Sequence, residues 1–262
     1  MIGHFTKCAL VATGLFAVPA PGFGQDDLED APFRISLQVT TDPAPVQCRR
    51  LQAVSPTSLG FLPLRRTFND DFDEHPLAKG RWVPHYAGPA TWPEARYWGG
   101  DGSDFKRKTS ANGEQQIYVD PGYGGRTTTP LDPFKVRNGV LSIVARRTPA
   151  ELKPVLFDNE YISGLLTTQG RFSQKHGYFE MRAKIPFGHS VWPAFWMLAD
   201  DGGWPPEVDV LEGRGGRPGD VVMTTHWRIP ETGKIHTCGF DFAVPDAGRE
   251  FHTTGSCGPK IA

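Results

Sequence analysis

The stretch YFEMRAKI, residues 178–185, alternates apolar and polar side chains. The apolar positions are Phe179, Met181, Ala183 and Ile185, and the charged positions are Glu180, Arg182 and Lys184. Successive side chains of a β-strand point to opposite faces of the sheet. The stretch therefore predicts a strand with one buried face and one polar face.

Several further short apolar runs surround this strand, each bounded by Gly, Pro, Asn or Asp. They are Arg34–Thr40, QQIYVD, GVLSIVARR, YISGLLTTQGRFSQ, WPAFWMLA, EVDVLEG and VVMTTHW. The pair Asn138–Gly139 before GVLSIVARR is typical of a tight hairpin turn. Helix-period patterns are scarce, so the 262 residues predict one large all-β domain, a sandwich or jelly roll.

The overall charge narrows the range of partners. A formal net charge of −1 gives no electrostatic reason to expect nucleic acid or an anionic membrane surface as partner. We therefore expect neither, and we expect a monomer.

The N-terminus resembles an export signal. MIGHFTK carries Lys7, the apolar run CALVATGLFAVPA follows, and PAPGFGQDD offers small residues for cleavage. The alternative is a disordered apolar N-terminus of a cytosolic protein. We predict a leader over residues 1–24, an extension or linker over 25–66 and the folded domain over 67–262, in a secreted or periplasmic bacterial protein.

The cysteines give little information about disulfides or metal sites. Removal of the leader would take Cys8 and leave Cys48, Cys238 and Cys257, so at most one intramolecular disulfide can form. Spacing alone does not decide which two cysteines pair. The chain has no CxxC motif or His/Cys cluster that would predict a zinc site.

The stretch WPPEVDVLEGRGG, residues 204–216, carries three unevenly spaced carboxylates, Glu207, Asp209 and Glu212. Two prolines and the β-branched residues favour a strand, on which Glu207 and Asp209 share a face and Glu212 points away. A β-bulge after Asp209 would return Glu212 to that face. The alternative is an ordinary polar strand face without function.

Gathered on one face, three carboxylates could perform glycoside hydrolysis. Retaining glycosidases hold two carboxyl groups about 5–5.5 Å apart. Three clustered carboxylates do not all ionise easily, so we expect one glutamate to keep its proton near neutral pH and to act as general acid.

Aromatic side chains lie on both sides of the carboxylates in sequence. Trp192, Trp196 and Trp204 precede or flank them, and His226 and Trp227 follow. Indole faces stack on the apolar faces of sugars, while polar groups bind the hydroxyls. These tryptophans could also be core residues, and for Trp196 both alternatives stay open.

The ordered motifs resemble glycoside hydrolase family 16, the laminarinase and mixed-linkage glucanase group. The similarity runs from about Phe68 to Trp227, through these segments: FNDDFD, NGEQQIYVD, VRNGVLSIVARR, YISGLLTTQGRFSQKHGYFEMRAKIPFG, WPAFWML, WPPEVDVLEG and TTHW. GEQQIYVD and GGWPPEVDVLE are most similar to bacterial enzymes that process exopolysaccharides.

The resemblance implies a concanavalin A-like jelly roll with a substrate cleft along its concave sheet, and an endo-β-glucanase. The enzyme would hydrolyse internal β-1,3 or β-1,3-1,4 bonds of a glucan or exopolysaccharide with retention of configuration. Glu207 would be the nucleophile, Glu212 the acid/base and Asp209 their assistant. The resemblance also implies sugar-binding roles for Asn112, Trp192, His226 and Trp227. To these we add Trp196 as a candidate from the residues alone.

Two features depart from the family pattern. After REFHTTG the chain continues as SCGPKIA, where relatives continue into further strands, so we expect the C-terminal strands to be missing. Many members bind a structural calcium at a site formed partly by that region, and we do not expect calcium to be bound here. We expect the reaction to require no cofactor. A non-catalytic, lectin-like jelly roll or a transglycosylase are the alternatives to the hydrolase.

Overall fold

A computed structural model describes residues 5–12, 16–17, 65–85, 114–123, 131–200 and 203–258. Side chains are described for all of these except residues 5–12, 16–17 and 257–258. The predicted strand Arg34–Thr40 and most of the predicted linker lie outside the described residues.

The described part of the chain is built almost entirely from strands. They are β1 (Phe5–Ala12), β2 (Phe16–Ala17), β3 (Gln116–Tyr118), β4 (Phe134–Arg137), β5 (Val140–Ile143), β6 (Arg146–Arg147), β7 (Tyr161–Thr167), β8 (Gly177–Lys184), β9 (Ala194–Ala199), β10 (Glu207–Gly213), β11 (Asp220–Arg228), β12 (Ile235–Ala243) and β13 (His252–Gly258). A 3₁₀ helix, Ala150–Leu156, joins β6 to β7 and was not anticipated from the sequence.

These strands form two sheets. The larger sheet has eight strands in the order β12-β11-β10-β9-β1-β7-β3, and β6 also pairs with β7. The smaller has five strands in the order β13-β8-β2-β5-β4. The pairings are antiparallel except for β3 with β7, which run parallel.

The main hydrophobic core lies between the two sheets. Phe134, Leu141 and Ile143 come from the smaller sheet, and Phe195 and Val210 from the larger, all in one buried cluster. Two sheets that share one apolar layer form a sandwich. The predicted all-β jelly-roll class is confirmed.

The strand that opened the sequence analysis occupies β8. Phe179 and Met181 pack against the main core, and Ala183 and Ile185 belong to it, whereas Glu180 is exposed. The predicted turn is present too: Asn138 and Gly139 have φ values of 52° and 67° between β4 and β5. Both residues tolerate this left-handed region better than bulkier ones, which explains the hairpin.

Strands β1 and β2 lie within the segment predicted to be a leader. β1 pairs with β7 on one side and β9 on the other, in the middle of the larger sheet. Cleavage of the segment stays a prediction. None of the helices in the described ranges has the length and apolar character needed to cross a membrane.

One cysteine contributes a cross-link. Cys238, on β12, is disulfide-bonded. Its partner is not among the residues whose side chains are described.

Candidate active site

Strand β10 carries the three carboxylates and contains the expected bulge. Against β9, Asp209 is opposite Trp196, but Leu211 is already opposite Phe195, so Val210 is an additional residue. The register against β11 shifts at the same place, between Asp209 and Glu212. The predicted β-bulge after Asp209 is confirmed.

The bulge has a clear cause in packing. Val210 and Leu211 are consecutive, yet both are buried in the main core, at 0% and 2% exposure. On a regular strand, one of them would face away from that core. Because the bulge lets both face inward, Glu212 emerges on the same outer face as Glu207 and Asp209. We call this the site face of the larger sheet.

Each glutamate accepts a hydrogen bond from an indole. Trp192 Nε1 donates to Glu212 Oε1 at 3.0 Å, and Trp204 Nε1 donates to Glu207 Oε2 at 2.5 Å. Both tryptophans are exposed, at 44% and 49%. The two indoles therefore fix one oxygen of each glutamate.

The loop that presents Trp192 is held against the end of β10 by backbone hydrogen bonds. Gly213 N donates to Pro193 O at 2.8 Å, and Gly215 N donates to Val191 O at 2.9 Å. A Cβ atom at Gly215 would lie 2.2 Å from Gly188 O and 2.4 Å from Val191 O. Only glycine permits this approach, so Gly215 sets the position of the Trp192 loop.

Asp209 is the most strongly perturbed carboxylate. Only 5% of it is exposed, and burial together with the charges of Glu207 and Glu212 raises its pKa from 3.8 to about 9. This shift favours a proton on Asp209 at neutral pH. Burial also raises the pKa of Glu207, and the hydrogen bonds from Trp204 and Asp209 act in the opposite direction. We expected a glutamate to be the carboxyl that keeps its proton; the aspartate is held most firmly in that form.

His226 extends this network to the next strands. Its Nε2 lies 3.3 Å from Asp209 Oδ2, and its Nδ1 lies 2.9 Å from Thr237 Oγ1 on β12. Burial lowers the pKa of His226, which favours neutral imidazole. The two ring nitrogens thus face a carboxyl oxygen and a hydroxyl, and a neutral imidazole can donate to one and accept from the other.

Glu212 also has a raised pKa. Burial is the largest cause, and the charge of Glu207 adds to it, while the indole of Trp192, His226 and Arg214 act in the opposite direction. Arg214 itself forms an ion pair with Asp241 at 3.0 Å. A glutamic acid with a raised pKa beside a second carboxylate can donate a proton to a leaving group.

The structure shows that Trp196, for which a core and a cleft position were both open, is buried. The indole is opposite Asp209 and is 9% exposed, in one cluster with Tyr118, Leu165 and Ala194. Trp196 therefore lies on the same face as the carboxylates, beside Asp209, and is buried there. A role for it in contacting sugar stays a prediction.

The structure separates Trp227 from the other predicted site residues. His226 is opposite Glu207 and shares its face, so the next residue, Trp227, points to the other face of β11. There its ring lies 4.5 Å from that of His236. Asn112 lies outside the described residues. Trp192 and His226 are placed at the carboxylates, as expected of sugar-binding candidates, although no bound sugar tests that role.

Two residues at the site were not among the predicted site residues. Trp204 holds Glu207, and its position three residues before that glutamate was the available signal. Thr237 holds His226, but its place depends on the pairing of β11 with β12, which the sequence did not reveal. The described residues contain no group of three or more His, Cys, Asp or Glu that could hold a metal ion.

Comparison with known proteins agrees with this geometry. Residues 132–254 match the sequence profile of glycosyl hydrolases family 16. This segment belongs to that family. The matched region contains the whole bulged strand and its three carboxylates.

Proteins similar to this chain include two endo-1,3-1,4-beta-glycanases from Rhizobium meliloti (strain 1021). ExsH is 40% identical over 73% of this chain and 38% of its own length, and EglC is 38% identical over 73% and 37%. The chain thus spans less than two fifths of either relative.

A solved structure supports the fold. A mutant of SCLam, a non-specific endo-beta-1,3(4)-glucanase from family 16, has a TM-score of 0.54 and 26% identity. The match covers 75% of this chain and 68% of that one. That structure holds 1,3-beta-D-cellobiosyl-glucose at its active site.

The first testable prediction of this family 16 site concerns the Trp192 loop. Gly215→Ala forces a Cβ into two carbonyl oxygens, so we expect a loss of about 2 kcal/mol in unfolding free energy and a lower kcat. Gly216→Ala is the matched control, because nothing lies within 4 Å of a Cβ at that position. Chemical denaturation and initial rates of both variants measure the difference; equal behaviour of the two would contradict the assigned role of Gly215.

The second prediction uses the proton on Asp209. Between pH 4 and pH 9 the folded state keeps this proton while the unfolded chain releases it, so stability falls as pH rises toward the folded pKa of about 9. Asp209→Asn removes this dependence. We expect the difference in Tm, variant minus wild type, to increase from pH 5 to pH 9 and to level off above it.

The control for this experiment is Asp73→Asn, at an exposed position. Its Tm should follow that of the wild type at every pH. A constant difference between the Asp209→Asn and wild-type curves would show that Asp209 is ionised in the folded protein.

Proposed function

We propose that this chain is a retaining endo-β-glucanase that hydrolyses internal β-1,3 or β-1,3-1,4 glucosidic bonds. The observation that carries the proposal is the gathering of Glu207, Asp209 and Glu212 on one face by the bulge, with an indole on each glutamate. Two carboxylates in different environments are the arrangement that retaining glycosidases use.

In the first step, Glu207 attacks the anomeric carbon and Glu212 gives its proton to the departing glycosidic oxygen. Trp204 holds Oε2 of Glu207 and thereby orients the attacking carboxylate. Likewise, Trp192 holds Oε1 of Glu212 and orients its carboxyl group. The products are a glycosyl ester on Glu207 and a shortened sugar chain with a free hydroxyl.

In the second step, the ionised Glu212 takes a proton from water, and the resulting hydroxide displaces Glu207 from the anomeric carbon. Two inversions restore the original configuration. The Asp209 hydroxyl hydrogen-bonds to Glu207 and stabilises its carboxylate as it leaves. His226 and Thr237 keep the Asp209 carboxyl oriented for that bond.

The substrate class follows from the relatives. ExsH and EglC act on β-1,3-1,4 linkages according to their names, and SCLam accepts both linkage types. We therefore propose a β-glucan or an exopolysaccharide with such linkages as substrate. We further propose a monomer, secreted or periplasmic, that requires no cofactor for the reaction; a leader-like N-terminus supports the location.

The assigned roles are tested by azide rescue of alanine variants, with an aryl β-laminarioligosaccharide as substrate. Glu207→Ala and Glu212→Ala should each lower kcat about 10³-fold or more on laminarin. Azide should restore turnover in both. It should give an α-glycosyl azide with Glu207→Ala and a β-glycosyl azide with Glu212→Ala, because azide enters from the face that each deleted group leaves open.

Product configuration by proton NMR distinguishes the two roles. The opposite pattern of azide products would show that Glu212 is the nucleophile and Glu207 the acid/base. Wild-type protein that binds laminarin but releases no reducing sugar would refute the hydrolase and favour a carbohydrate-binding jelly roll.

A further inference from the structure

A cavity outside the site face has a lining that the reaction does not use. It has a volume of about 410 Å³, and its described lining residues are Arg66, Thr67, Phe68, Asn69, Gly80, Arg81, Arg171 and Phe172. We call it the arginine cavity. It contains none of the carboxylates and none of the aromatic residues of the active site.

The described lining of the arginine cavity carries three arginines and no acidic residue. Arg66 and Arg171 form no ion pair within the described part of the chain. Arg81 Nη1 donates to the backbone oxygen of Asn69 at 2.6 Å, which fixes its guanidinium without neutralising it. Three guanidinium groups around one cavity favour an anionic ligand.

Among the described residues, the carboxylates of Asp70 and Asp71 lie next to the cavity and form hydrogen bonds with neighbouring groups. Asp70 accepts hydrogen bonds from Phe72 N at 3.0 Å and from Trp82 Nε1 at 2.8 Å. Asp71 accepts one from Asn69 Nδ2 at 2.8 Å. These contacts direct the two carboxylates toward neighbouring protein groups, and neither residue lines the cavity.

The walls of the cavity are held in place from behind. The Phe68 ring packs 5.5 Å from Trp82 and 4.8 Å from Phe172, measured between ring centroids. Thr67 Oγ1 donates to Gln174 Oε1 at 2.5 Å. A two-way backbone bridge between Val83 and Thr167, at 2.7 and 2.8 Å, ties this region to β7. The two phenylalanines and Thr67 of the lining are therefore held by contacts with their neighbours.

The chemical groups in the lining favour one class of ligand. Guanidinium groups bind carboxylates in two-pronged fashion, phenyl rings contact the apolar face of a sugar ring, and hydroxyl and amide groups bind sugar hydroxyls. We propose that the arginine cavity is a second carbohydrate site that binds acidic, carboxylate-bearing sugar units of the polysaccharide. The choice of a sugar rests on the proposed function, whereas the anionic character of the ligand does not.

The position of the cavity suits a long substrate. Thr167, at the end of β7, lies three strands from the catalytic strand β10, about 14 Å at about 4.8 Å per strand. The cavity lies just beyond that end, beside Arg171. An acidic polysaccharide held there stays attached between cuts made at the site face, which raises its local concentration.

Calorimetry with β-1,4-linked glucuronic acid oligosaccharides tests the proposal. We use the Glu207→Ala protein, so that no turnover occurs, and neutral cello-oligosaccharides of the same length for comparison. The acidic oligosaccharide should bind at least tenfold more tightly, and added salt should weaken its binding. Arg66→Gln combined with Arg171→Gln should remove that preference, whereas Arg249→Gln, at an exposed position outside the cavity, should leave it unchanged.

Each possible result either supports or overturns a specific part of the proposal. An unchanged preference for the acidic oligosaccharide in the double variant, at an unchanged Tm, would overturn the proposal. Inorganic sulfate that binds as tightly as the oligosaccharide would overturn the sugar assignment. Laminarin hydrolysis by the double variant with Glu207 intact should equal that of the wild type, so failure of the hydrolase itself is detected independently of the cavity.

Discussion

The geometry of the active site depends on where two consecutive apolar side chains are buried. Val210 and Leu211 both enter the core between the sheets, and a regular strand does not allow this. The bulge that resolves the conflict also turns Glu212 toward Glu207 and Asp209. Packing energy, which is large and non-directional, thereby determines the position of a reactive group that itself contributes little to packing.

Gathering three carboxylates creates an electrostatic problem that the neighbouring residues solve in different ways. Asp209 keeps its proton because it is buried and faces two glutamates. The glutamates are more accessible and each receives an indole N–H, which stabilises the charged form. Neutral His226 completes the arrangement without adding charge. Two carboxyl groups thus stay able to exchange a proton while the third serves as a fixed donor.

Local patterns in the sequence predicted those features that depend on residues adjacent in the chain. The alternation of β8, the Asn138–Gly139 turn and the bulge are all of this kind. Contacts between distant strands could not be predicted from the sequence. The hydrogen bond between Thr237 and His226 depends on the register of β12 against β11. The face occupied by Trp227 became known only once His226 was seen to pair with Glu207. A net charge of −1 likewise hid the arginine cavity, because a sum over the chain does not show where charges collect.

The indoles of Trp192 and Trp204 have a consequence beyond catalysis. Each is nearly half exposed and is hydrogen-bonded to a carboxylate whose ionisation changes in the proposed reaction. Indole emission responds both to solvent and to nearby charge, so the protein carries two intrinsic fluorescent reporters beside its reacting groups. Occupancy of the cleft and the protonation of either glutamate become visible in light emitted by the unlabelled molecule.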